Sequence, residues 1–403
     1  MSWLTAGKTR ERKGRSMKRV AIIGANEFQN PLIEKARELG LETHVFAWKD
    51  GSIGERTADF FHPISIVETD RILDECRQLG VSAVCSIGSD LAAITVVKVA
   101  GALGLPCNPP ETAVLATNKY RMREAFRDAG IPVPAFFKAD GSEKDIEQAR
   151  AMRFPVIVKP TDRSGSRGIT KVDRFDPDRL RAAVAAALKE SFEKRAVIEE
   201  YLEGPEYSCE ALSVDGQHTV LAITKKYTTG APHFIETGHI EPPDLTREEE
   251  ENVHRAVTAG LDALHVRLGA SHSEFRMDPG TGEARLIEIG ARMGGDCIGS
   301  DLVRLSTGVD FVELTLRAAL GECPKPEAQG YRRAALVRFL FTQQDLERFH
   351  QIEKERPDLL VRAGEMRQPG SAVTDSSTRL GFYILSGEDR EELVHWAQLE
   401  ERP

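Results

Sequence analysis

At 403 residues the chain exceeds what one hydrophobic core supports, since domains usually run about 100 to 200 residues, and roughly two to four domains are expected. Acidic residues outnumber basic ones by 63 to 54, and the formal charge of −9 argues against general affinity for nucleic acid or an anionic membrane, leaving room only for a local basic phosphate pocket. With 41% hydrophobic and 29% charged residues the composition is that of an ordinary globular protein, neither disordered nor membrane-embedded.

Residues 1–16 carry a Lys/Arg cluster but no apolar segment or small-residue cleavage site, so they are expected to form a disordered extension, with Met17 as an alternative start. The mostly apolar stretch Leu91 to Leu105 is interrupted by Lys98 and falls short of the roughly 20 residues that cross a bilayer, which predicts a buried helix. Cys76, Cys85, Cys107, Cys209, Cys297 and Cys323 form no Cys-x-x-Cys pair, which suits reduced thiols and a cytoplasmic location.

Residues 17–112 read as a parallel α/β domain. Lys18 to Ile23 is a β-branched strand, a helical pattern runs to Leu39 before Gly40, and Thr43 to Trp48 and Val81 to Ile87 are further strands. Residues 113–202 read as a small lobe, with a helix from Ala116 to Ala129, strands Phe154 to Lys159 and Ile169 to Phe175, and a helix starting at Pro177 behind the cap Asp176. A strand from Ala196 to Leu202 leads out of it. Residues 203–325 read as a larger lobe: hairpin strands Tyr207 to Val214 and Thr219 to Lys225 flank Asp215-Gly216, a helix spans Thr246 to Leu268, and strands Ala270 to Met277 and Ala284 to Ile289 flank Asp278-Pro279-Gly280. Residues 326–403 give two or three strands and a helix ending in Trp396, a C-terminal α+β subdomain.

Three stretches invite a phosphate, and two fail. Gly24-Ala25-Asn26 follows a strand but lacks the second and third glycines of a dinucleotide turn, and the next strand ends Phe46-Ala47-Trp48 without a ribose-binding acid. Ala6-Gly7-Lys8-Thr9 has Ser2 at the first glycine position of a P-loop and no strand before it. The third, Lys159 followed by Asp162-Arg163-Ser164-Gly165-Ser166-Arg167-Gly168, sets a lysine at a strand end beside a glycine loop whose N–H groups and arginines suit a triphosphate; an exposed polar hairpin is the alternative.

Downstream, Glu199-Glu200-Tyr201-Leu202 and Glu206 join the two lobes, either as an adenine-gripping hinge or as a charged linker. If Asp278 pairs with Ala284, Glu274 falls opposite Glu288 on one face, where two carboxylates repel unless a cation lies between them. Magnesium held by one or two carboxylates and nucleotide phosphates would supply that cation; two glutamates on a solvated face is the alternative.

These elements, in this order, resemble the ATP-grasp superfamily from about residue 17 to about 325. The resemblance implies a Rossmann-like pre-ATP-grasp domain with a parallel sheet, then a two-lobed ATP-grasp domain with antiparallel sheets, binding ATP and magnesium, with manganese as a substitute. It implies Lys119 and Lys159 as phosphate-facing lysines, Ser164, Gly165, Ser166 and Gly168 as the closing loop, and Glu199, Glu200 and Leu202 as the adenine hinge. Glu206 then takes the ribose, Glu274 and Glu288 the metal, and Arg292 lies near the transferring phosphoryl group. Where most of the superfamily has Asn two residues after the second glutamate, this chain has Gly290.

The run Glu288-Ile289-Gly290-Ala291-Arg292, with Gly294-Gly295 after it and Thr237-Gly238-His239 before it, resembles the branch of L-amino acid ligases and carbamoyl-phosphate-synthase-like proteins. That implies a ligase joining a small-molecule carboxylate to an amine through an acylphosphate, with no nucleic-acid or membrane partner, and allows a homodimer. His239, Gly294, Gly295 and Asp90 are the substrate candidates; a hydrogen-bonded loop histidine and a helix cap are the alternatives for His239 and Asp90. A bicarbonate-activating enzyme of the biotin-carboxylase or carbamoyl-phosphate type and a non-catalytic ATP-binding regulator are the competing readings.

Overall fold

The computed structural model describes residues 17–231, 234–326, 330–368, 370 and 373–400; the expected extension 1–16, with its Gly-Lys-Thr stretch, lies outside them. Three sheets organise the chain. The first holds β1 (Arg19–Ile23), β2 (Glu42–Phe46), β3 (Phe60–His62) and β4 (Ala83–Cys85) in the order β3-β2-β1-β4, all parallel. Val20, Ala21, Ile22 and Ile23 are buried on both faces, as a sheet covered on both sides by helices requires. After β1 the turn is filled from within: a Cβ on Gly24 would coincide with the Gln29 side chain.

The second sheet is antiparallel, with β5 (Phe136–Ala139), β6 (Val156–Pro160), β7 (Thr170–Val172) and β8 (Ala196–Glu200) in the order β5-β8-β6-β7. Its apolar face packs on the helix Pro177–Glu190 through Val156, Val158, Leu180, Val184 and Ile198. Asp176 caps that helix, accepting from the N–H groups of Asp178 and Arg179, with Pro177 at its first position.

The third sheet has eight strands: β9 (Glu206–Val214), β10 (Gln217–Thr228), β11 (Glu236–Glu241), β12 (Gly269–Met277), β13 (Ala284–Gly290), β14 (Ala334–Leu340), β15 (Leu360–Ala363) and β16 (Gly381–Gly387), ordered β13-β12-β9-β10-β11-β14-β16-β15. The β9–β10 turn is Asp215-Gly216 with φ of 53° and 77°, both left-handed, as the tight hairpin demands. The tail strands continue this sheet, because β14 pairs with β11, so the expected boundary at residue 326 separates strands of one hydrogen-bonded sheet.

Alternation along β9 gives the sheet its two faces. Tyr207, Cys209 and Ala211 enter an apolar core with Val253, Val257 and Leu261 from the helix Arg247–Ala263, while Glu206, Ser208 and Glu210 point the other way.

The helix expected over 116–129 runs Lys119–Asp128, starting where the Asn118 side chain accepts from the Arg121 N–H, and a short helix not expected from sequence, Pro110–Leu115, precedes it. Strands β3, β5 and β11 had no sequence expectation; they have three, four and six residues and no clear alternation.

Candidate active site

The end of β6 delivers Lys159 into a buried position, where Nζ lies 2.6 Å from Glu199 Oε1 on β8. Glu199 also takes a two-pronged contact from Arg123, at 2.8 and 3.3 Å, and Arg123 Nη1 donates to the Leu286 carbonyl. Burial opposes ionisation of Glu199, yet Arg123 and Lys159 outweigh it and hold the carboxyl at about 2. Burial pushes Lys159 below its ordinary value; Glu199 counteracts, while Arg123 and Lys119 add to the depression. Lys119, first residue of its helix, donates to the Arg163 carbonyl at 2.7 Å and to Glu288 Oε1 at 2.9 Å. The two sequence-predicted lysines therefore converge.

Glu274 and Glu288 are direct register partners on β12 and β13. The route differs from expectation: Met277, not Asp278, pairs with Ala284, and a bulge opposite Phe275 and Glu274 inserts Ile287 and brings the glutamates level. Each carboxylate carries its own ammonium group, Lys226 on Glu274 at 2.7 Å and Lys119 on Glu288 at 2.9 Å, which offsets their repulsion. Lys226 also reaches Glu206 at 3.1 Å. Burial resists ionisation of Glu274, but Lys226 and His272 hold it well below the carboxylate range. Among the described residues no group of three His, Cys, Asp or Glu side chains forms a metal cage. Two facing carboxylates fit a magnesium ion that also binds nucleotide phosphates, not an all-protein site.

Between the lobes lies a cleft with 730 Å³ of open space, lined by Lys119, Lys159, Ser166, Glu199, Glu200, Leu202, Glu206, Lys226, Glu274 and Glu288, and by the apolar Ile157, Ile169 and Ile287. The Glu200 carboxylate is turned to Arg153, accepting from its backbone N–H at 3.0 Å. Glu206 is held by Arg276 at 2.9 Å. In the glycine loop, Gly165 and Gly168 have φ of 75° and 67°, and Ser166 Oγ donates across the cleft to the Phe234 carbonyl at 3.3 Å. Ser164 lines an adjoining cavity instead.

Arg292 is tied to the first domain, with Nε 2.7 Å and Nη2 3.3 Å from the two oxygens of Asp90. Ser89, not Asp90, caps the helix Asp90–Ala102, which removes capping as the account of Asp90. Gly290 accommodates this pair, since a Cβ there would sit 3.1 Å from both Asp90 and Arg292. His239 lies on strand β11, not in a loop; its register partner is Lys226, and it is buried without lining the cleft. Its Nδ1 has no partner among the described residues, Asp296 lies 3.9 Å from Nε2, and burial lowers its pKa. Gly294 N–H donates to Glu210 at 2.9 Å, and Gly295 packs on Gly88 of the first domain.

Sequence reasoning missed Arg123, Lys226, Glu210 and His272. His272 bridges Glu210 and Glu274, and although burial opposes its charge, these carboxylates raise its pKa to about 9. Strand alternation held a signal for two of them: Glu210 is four residues after Glu206 and His272 two before Glu274, so each shares its neighbour's face.

Residues 152–301 match the family described as ATP-grasp domain. The chain is 31% identical over 199 residues, 48% of its length, to D-alanine--D-alanine ligase B of Chromobacterium violaceum, and 26% identical over 302 residues, 66% of its length, to alanine--anticapsin ligase of Bacillus subtilis. Those stretches span 63% and 62% of the two relatives. Among solved structures, an L-amino acid ligase from Bacillus licheniformis superposes with a TM-score of 0.80 at 25% identity, covering 97% of this chain and 100% of that one.

Proposed function

We propose that the chain, which matches the ATP-grasp domain family over residues 152–301 and superposes on an L-amino acid ligase, is a ligase that joins a carboxylate to an amine on amino acid-like substrates, releasing ADP and phosphate. One observation carries the reading: Lys119, Lys159, Glu274 and Glu288, drawn from four separate elements, meet in one interlobe cleft.

The carboxylate oxygen of the acid attacks the γ-phosphorus, the bond to the ADP oxygen breaks, and an acylphosphate forms. The amine then attacks the acyl carbon, loses a proton and expels phosphate. Glu274 and Glu288, with the nucleotide phosphates, would hold a magnesium ion, which would supply positive charge to the transferring group. Lys119, Lys159 and Arg292 supply the rest, and their carboxylate partners keep them in place before ATP arrives. The loop 164–168, reaching Phe234 across the cleft, keeps water from the acylphosphate.

Phosphate and ADP release from magnesium ATP, measured with amino acids singly and in pairs and with bicarbonate separately, tests this. Release that requires one acid and one amine supports the ligase; a signal confined to bicarbonate, or ATP binding without release in any row, transfers the site to a bicarbonate-activating enzyme or a regulator.

A further inference from the structure

A second cavity adjoins the nucleotide cleft and shares Lys119 and Glu288 with it; it has 680 Å³ of open space and is otherwise walled by Asp90, Leu91, Ile94, Thr117, Phe192 and, from the loop, Asp162, Arg163, Ser164 and Arg167. We propose that this cavity receives the carboxylate substrate and selects one with a branched aliphatic or aromatic side chain, Leu91 and Ile94 being the residues that set the selection. This deepens the ligase reading and rests on it.

Three observations lead there. The shared wall of Lys119 and Glu288 sets an acid in this cavity directly against the phosphate end of the cleft. Leu91 and Ile94, three residues apart and so on one side of their helix, are half-buried and lie outside the apolar core that takes up Ala92, Val99 and Ala100. Phe192 is 60% exposed, one face of its ring covered by the Arg163 guanidinium at 4.6 Å, so three apolar side chains line one space and keep part of their surface free.

The charged walls do not call for a cationic side chain. Asp90 is already paired with Arg292, and Asp162 accepts from the N–H groups of Phe192 and Glu193. Arg163 and Arg167 belong to the glycine loop beside the phosphates; an acidic substrate drawn by them is the competing outcome.

Hydroxylamine separates acid selection from amine selection, because its nitrogen attacks any acylphosphate at the acyl carbon, loses a proton, expels phosphate and leaves a hydroxamate. The full chain is assayed with magnesium ATP, hydroxylamine and glycine, alanine, leucine, phenylalanine or glutamate. The expected kcat/KM for leucine or phenylalanine exceeds that for glycine and glutamate by about tenfold or more. Leu91→Asp and Ile94→Asp should remove about tenfold of that preference through KM, with KM for ATP within about twofold; Ile94→Val, which keeps the fold by conserving shape, should retain the preference. Equal rates across the panel, a preference for glutamate, or an apolar preference untouched by either Asp variant overturns the inference while leaving the ligase intact. No hydroxamate with any acid overturns both.

Discussion

Gly290 shows how one atom shapes the site. A side chain there would meet the Asp90 carboxylate and the Arg292 guanidinium at 3.1 Å, closer than nearly all Cβ contacts come. Gly290→Asn is therefore expected to displace this pair and lower kcat about tenfold or more, with KM for ATP little changed; steady-state kinetics check it. Unchanged kcat would mean that Arg292 works without Asp90. Lys159 and Glu288 give a second residue-level prediction, that Lys159→Ala or Glu288→Ala abolishes ADP release while circular dichroism stays native; turnover surviving either change removes that residue from the site. Lys159 was readable because it sits at a punctuated point of the sequence, before the glycine loop, whereas Lys119 was expected only through the family resemblance. Arg123 and Lys226 carry no such mark: their partners lie 76 and 48 residues away, a distance that only the fold closes.

At the scale of elements, the hairpin β12–β13 explains both what sequence could and could not reach. Counting back from the turn with regular pairing puts Glu274 opposite Ile287, and the bulge that restores Glu288 has no sequence signature, so the right pair was reached through the wrong register. Strand β11 escaped notice because Thr237-Gly238-His239 reads as a turn, yet Gly238 is there for space: a Cβ would strike the Val337 carbonyl and Leu399.

That strand ends in Glu241, fully buried, which accepts from Thr224 on β10 and from Ser306 on the helix Val303–Thr307. Burial raises its pKa from 4.5 to about 8, against the pull of the two hydroxyls. The folded state thus holds a proton that the unfolded chain releases, so stability falls as pH rises from 4.5 to about 8 and levels beyond. Glu241→Gln should be more stable than the parent at pH 8 by about 1–3 kcal/mol, a gap that closes toward pH 4.5, in urea denaturation at several pH values. A gap independent of pH would show that Glu241 is ionised when folded.

Over the whole molecule, two charged contacts join parts that the sequence reads as separate. Asp90–Arg292 connects the parallel sheet domain to the end of β13, and Arg123 connects β8 to the Leu286 carbonyl of β13, spanning the small and large lobes. Arg123→Leu removes a partner of a buried carboxylate and is expected to cost about 3 kcal/mol, read as a drop in the denaturation midpoint. It should also lower Lys159 function, since Glu199 loses one of its two anchors.

The parallel domain was legible from its alternation of strand and helix, and the eight-stranded sheet was not, since strands from the tail extend it beyond β11, nearly a hundred residues upstream. That extension governs what happens if the chain is cut. Ending it before Ala334 would strip β11 of its neighbour and leave a row of bare amides and carbonyls beside His239, an edge inclined to recruit strands from other molecules. The same edge is a template of fixed register, so the fragment 330–403 supplied as a separate peptide should anneal to it and reconstitute the protein from two pieces, whereas a cut in the Asp278-Pro279-Gly280 loop would test complementation of the hairpin that carries Glu274 and Glu288.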